Sequence, residues 1–197
     1  SGHTITENIS GGTIRTVGGF GGGSRTDFHP SGGIFEFYGT VNQNLTLGDN
    51  SLYSVNINKN ATTSRKAEPY VGYNVSSPAD ESHRKIDPSP EVRANTIFLG
   101  DTLTLTGNLT ITSGVLDITA SNYLIELAGN WTNNVGDAGF LEREGRVIFY
   151  GSSLSDIVTD ETFYDLEEDK TTTSIYALET GIGNYEGVDV NVLHNLT

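Results

Sequence analysis

Acidic side chains crowd one short stretch of the chain and are the first candidates for metal chemistry. Five of them could act as ligands: Asp160, Glu161, Asp165, Glu167 and Asp169. Hard carboxylate oxygens at close spacing can gather Ca²⁺, which also relieves the repulsion between like charges. The spacing matches no standard calcium loop, and in an extended strand Glu168 would point away from Glu167 and Asp169. The pattern therefore leaves two interpretations, a calcium site and a solvated acidic strand that discourages edge-to-edge aggregation, and it favours the second.

Three aromatic side chains are candidates for a carbohydrate site, because flat rings stack on sugar faces and bury apolar area at little entropic cost. Trp131 is the strongest of them, and Tyr70 and Tyr73 follow within a proline-containing stretch. The apolar neighbours of Trp131 favour a core or turn-capping position over an exposed one.

Acid–base catalysis would need a convergent pair of groups. Asp117 and Glu126 stand on neighbouring predicted strands and could form a carboxylate pair of the kind that glycosidases use. The histidines do not add to such a site, since they are scattered at His3, His29, His83 and His194. No nucleophile-elbow pattern occurs. The sequence therefore predicts no catalytic residue.

The composition favours strands and turns and excludes several partners. Among 197 residues there are 24 Gly and no Cys, and 25 acidic against 11 basic side chains give a net charge of −14. Such a charge repels nucleic acid and anionic lipid, and the absence of Cys excludes disulfides and thiolate metal sites. No apolar run approaches the roughly 18 residues of a membrane span. Because the chain begins at Ser1, we expect a mature or excised segment of a longer protein.

The chain also repeats itself. Residues Gly33–Gly39 (GIFEFYG) recur as Gly145–Gly151 (GRVIFYG), 112 positions later. After one deleted residue the correspondence continues at an offset of 111, and Lys59 then answers Lys170. A fixed internal period predicts an architecture in which each unit covers the apolar edge of its neighbour.

A marker of Asn, an apolar residue and Ser or Thr accompanies the repeat, at Asn8, Asn108 and Asn195. It divides a single domain of residues 1–197 into unit one, about 8–107, unit two, about 108–194, and the start of a third at 195–197. Unit one carries an insertion at 62–93, which holds four of the five prolines and five of the eleven basic residues. Such an insertion is either a functional loop or a tolerated excursion.

Short alternating strands predict an all-β fold. Apolar and Thr residues alternate over 103–111, which reads as one strand with one buried face, and further short strands follow at 115–118, 123–127, 147–150 and 163–166. The expected interior residues are Leu103, Leu105, Leu109, Ile111, Ile125, Leu127, Val147, Phe149 and Phe163. A parallel β-solenoid is favoured over an antiparallel β-sandwich, because stacked coils explain a recurring Asn whose side chain satisfies its equivalent one rung away.

The segment from Leu103 to Lys170 resembles the parallel β-solenoid repeats in large exported surface proteins of Bacteroidetes-type bacteria. The phrases that carry the resemblance are, in order, 104–111 (TLTGNLTI), 113–117 (SGVLD), 128–134 (AGNWTNN), 145–151 (GRVIFYG) and 162–166 (TFYDL). The resemblance implies a secreted, multi-unit scaffold and transfers no active site. The glycine-rich start, the basic insertion and the turn at 154–156 depart from that pattern.

Together these features predict a non-enzymatic structural or adhesive segment of an extracellular or cell-surface bacterial protein. Its expected partners are other copies of itself or neighbouring repeats of a longer parent chain, and surface glycans. Calcium is the one cofactor that the sequence suggests. A carbohydrate-binding module and a β-helix enzyme that degrades polysaccharide are the alternatives.

Overall fold

A computed structural model describes residues 9–21, 28–59, 95–171, 178–180 and 188–197. Every regular element in these ranges is a strand. In chain order the strands are β1 (Ser10–Thr16), β2 (Phe20–Gly21), β3 (Gly32–Tyr38), β4 (Gln43–Thr46), β5 (Ser54–Asn58), β6 (Thr96–Leu99), β7 (Leu103–Leu105), β8 (Leu109–Ser113), β9 (Val115–Asp117), β10 (Ile125–Leu127), β11 (Trp131–Asn133), β12 (Phe140–Leu141), β13 (Arg146–Gly151), β14 (Ser155–Ile157), β15 (Glu161–Lys170), β16 (Leu178–Thr180) and β17 (Val190–Leu196).

These strands form three sheets. Sheet A has the order β1-β3-β5-β8-β11-β14-β16, sheet B has β12-β9-β6-β4-β2, and sheet C has β17-β15-β13-β10-β7. From β5 to β14 the chain visits sheets A, B and C in turn, as in β8, β9 and β10, and every pairing between the described strands is parallel. The fold is therefore the predicted parallel β-solenoid, and the sandwich alternative is wrong.

The interior is mainly apolar, with buried polar side chains among the apolar ones. All nine core residues expected from the sequence are at most 3% exposed. Three aromatic rings, Trp131, Phe140 and Phe163, meet near the C-terminal coils with centroids 4.8–6.2 Å apart. Edge-to-face contacts of this kind add to the hydrophobic gain of burial.

The prediction of a single strand over 103–111 was wrong in one respect. The stretch is two strands, β7 in sheet C and β8 in sheet A, separated by a corner at 106–108. A Cβ at Gly107 would lie 2.7 Å from the backbone oxygen of Tyr53 in the preceding coil, so the corner packs closely. Apolar alternation continues through the corner because the interior stays on the same side of the chain in both sheets.

The two sequence repeats fold alike but lie on different faces. In unit one β3 pairs with β5, Ile34 opposite Ser54; in unit two β13 pairs with β15, Arg146 opposite Asp165. These pairs are equivalent at the offsets of 112 and 111. The first pair belongs to sheet A and the second to sheet C, so the repeated module shifts by one face between its two occurrences.

The insertion lies between a strand of sheet A and a strand of sheet B. β5 is followed by Lys59 and β6 is preceded by Asn95, while residues 60–94 lie outside the described part of the chain. A Cβ on Gly114 of the next coil would lie 2.5 Å from the Lys59 Cβ and 2.7 Å from the Asn95 oxygen. The two ends of the insertion therefore meet at one corner.

Candidate functional site

The most distinctive polar site is a buried lysine that closes a corner. Lys59 has a fully buried side chain although it directly follows β5. Its Nζ donates to the backbone oxygens of Val41, at 2.6 Å, and Tyr38, at 3.4 Å, and to Oε1 of Gln43. All three ammonium hydrogens therefore have acceptors, which a buried cation requires.

The second repeat builds a similar corner, in which two of the three acceptors come from equivalent residues. Lys170 Nζ donates to the backbone oxygen of Tyr150 at 2.8 Å, to Oγ of Ser155 at 2.6 Å and to the Ala128 oxygen at 3.1 Å. Tyr150 and Ser155 stand 112 positions after Tyr38 and Gln43. What the repeat has preserved is thus a joint between two strands, which we call the lysine corner.

The environment of both lysines disfavours their charge. Burial lowers the pKa of the Lys59 ammonium, and it also lowers the pKa of Lys170, where the negative charge of Glu168 acts in the opposite direction. The acceptors are carbonyl, hydroxyl and amide oxygens rather than carboxylates. These corners therefore hold the backbone through directed hydrogen bonds, and ion pairing contributes little.

A polar ladder runs along one edge of sheet A, formed by Ser54, Asn108, Asn130 and Asp156. The side-chain oxygens of Ser54, Asn108 and Asn130 each accept the backbone N–H of the next member, at 2.9, 2.9 and 3.0 Å. Asn108 thus satisfies the backbone of another Asn one rung away, Asn130, which is not one of the three marker positions. Sheet C repeats the motif where Asp165 Oδ1 accepts the Asn195 N–H at 3.0 Å.

Of the five predicted calcium ligands, Glu161 is the one with a buried side chain. Its Oε2 accepts from Trp131 Nε1 at 2.7 Å and Asn133 Nδ2 at 2.9 Å, and its Oε1 accepts from the Thr162 N–H at 3.1 Å. Burial raises the pKa of this carboxyl, the three hydrogen bonds oppose the shift, and the negative charge of Asp137 adds to it.

The other four candidates face different partners. Asp160 accepts the Asp189 N–H, Asp165 accepts from His194 Nδ1 at 2.8 Å, and Glu167 pairs with Arg146 at 3.0 Å. Asp169 is exposed. Across the described residues no three Asp, Glu or His side chains come together as they would around a metal ion. The structure thus does not gather the acidic residues into one group, and calcium binding stays a prediction.

The structure does not bring the three carbohydrate candidates together into one described site. Trp131 is fully buried in β11, so its ring offers no face to a ligand and it lies in the core, the position that its apolar neighbours favoured over an exposed one. Tyr70 and Tyr73 lie outside the described residues. Among the described aromatic side chains, Tyr164 stacks on His194 with centroids 5.0 Å apart at the C-terminal edge of sheet C.

The proposed carboxylate pair does not form. Asp117 ends β9 in sheet B and makes a bidentate ion pair with Arg143, at 3.1 and 2.8 Å. Glu126 lies in β10 of sheet C and accepts from the Thr104 hydroxyl at 2.9 Å. The two carboxylates thus belong to different sheets, and each already has its own partner.

Sequence reasoning noticed the matching lysines but missed their role. The signal was present, because Lys59 and Lys170 recur at equivalent positions, directly after β5 and at the end of β15, and neither strand contains another basic residue. The burial of Glu161 had no such signal, since it stands within a stretch of acidic residues whose other members are exposed or partly buried.

The described residues include no helix with the length and hydropathy of a membrane span. The chain matches no protein-family model, no curated protein and no solved structure.

Proposed function

We propose that this chain is a non-enzymatic structural or adhesive segment of an extracellular bacterial surface protein, in which stacked coils supply length and rigidity. The observation that carries this proposal is the duplicated lysine corner. The residues that the two repeats share pack, turn and cap the backbone. Repetition of a joint is what a load-bearing scaffold needs, because each unit then supports its neighbours.

The polar ladder supports the same role. Each coil is fastened to the next by backbone pairing and by a side-chain acceptor at the strand start, as at Asn108 and Asn130. Buried and edge polar groups satisfied in this way specify one register of stacking. A single register makes the solenoid a spacer of fixed length.

The lysine corner gives a direct test of the scaffold role. We expect Lys59→Met and Lys170→Met each to lower the free energy of unfolding by about 2 kcal/mol or more, because each leaves buried backbone carbonyls without a donor. In single-molecule stretching both variants should also unfold at lower force than the wild type. Urea unfolding and optical tweezers measure the two effects.

Arg146→Met is the matched control, because Arg146 forms an ion pair with Glu167 and its own side chain is half exposed. Its expected cost is below about 1 kcal/mol. If the lysine variants cost no more than this control and leave the unfolding force unchanged, the corner bears no load and the scaffold role is contradicted.

The proposed location requires a separate test. Intact cells of the source organism would be treated with protease and probed with an antibody to this segment. A surface role predicts that the antibody labels untreated cells and that protease removes the signal. Signal found only after cell lysis would contradict it.

A further inference from the structure

We draw no further inference here: the strongest candidate, the outward face of sheet B, where the partly exposed side chains of Phe98 and Leu141 flank the ion pair of Asp117 with Arg143, carries nothing because none of the described residues shows what covers it.

Discussion

At the scale of single residues, the two units solve one packing problem with different chemistry. Glu161 stands 111 positions after Asn50, and both side chains are buried. Asn50 accepts the Phe28 N–H at 2.9 Å and donates to the Leu47 oxygen at 2.5 Å, whereas Glu161 only accepts. A carboxylate suits the position in unit two because neutral donors converge on it, but desolvation opposes its charge.

This burial predicts a pH dependence that Glu161→Gln should remove. The pKa of Glu161 is raised, so the folded protein holds the proton to higher pH than the unfolded chain does. Stability therefore falls as pH rises from the unfolded pKa through the folded one. The free energy of unfolding of the variant, measured relative to wild type, should therefore rise across this pH window. At pH values below the window, the free energies of unfolding of variant and wild type should agree within about 1 kcal/mol.

Urea unfolding at a series of pH values, followed by Trp131 fluorescence, measures this difference. Trp131 is the single tryptophan of the chain and donates to the titrating carboxyl, so it reports the local state as well. If the difference in free energy of unfolding between the variant and the wild type does not change with pH, folding does not raise the pKa of Glu161.

At the scale of elements, corners decide how the strands stack. β8 and β9 are joined by Gly114 alone, which moves the chain from sheet A to sheet B. Gly114 has φ +91°, and a Cβ there would also meet Lys59 and Asn95 of the preceding coil. Both the backbone conformation and the close approach require glycine at this corner.

Replacing this glycine separates the two requirements. We expect Gly114→Ala to lower the free energy of unfolding by about 3 kcal/mol, because backbone strain and a clash act together. Gly136 is the matched control, since it has φ +78° but open space around its Cα. Gly136→Ala should cost about 1 kcal/mol from strain alone. Thermal or urea unfolding measures both, and equal costs would mean that the approach of Lys59 and Asn95 does not constrain the corner.

At the scale of the whole molecule, the solenoid should tolerate loss of its insertion. Lys59 and Asn95 both lie against Gly114, so two glycines in place of residues 60–94 can span the gap, since three peptide steps reach about 10 Å. We expect the shortened protein to keep its β-structure by circular dichroism and its free energy of unfolding within about 1 kcal/mol, because loop length affects closure entropy only weakly.

The same two-glycine linker placed over 134–139 serves as the comparison. That connection carries the hydrogen bonds of Asn133 Nδ2 and Gly139 N to the Gly136 oxygen, at 2.9 and 2.7 Å, so its loss should destabilise the fold. If removing 60–94 unfolds the protein while this control does not, the insertion is part of the solenoid.

The sequence by itself determined the class of fold. Alternating apolar residues such as Leu103 and Leu105 marked the interior, and the recurring Asn108 marked the ladder, because a period of two and a repeated turn residue are local patterns. Only the tertiary structure decided which sheet each strand joins and that Lys59 and Glu161 are buried, whereas the apolar neighbours of Trp131 already favoured a core or turn-capping position. Those outcomes depend on contacts between coils, such as Ser54 with Asn108 and Asn108 with Asn130, 54 and 22 positions apart. The register that brings such residues together is set by corner packing between coils, which local alternation does not encode.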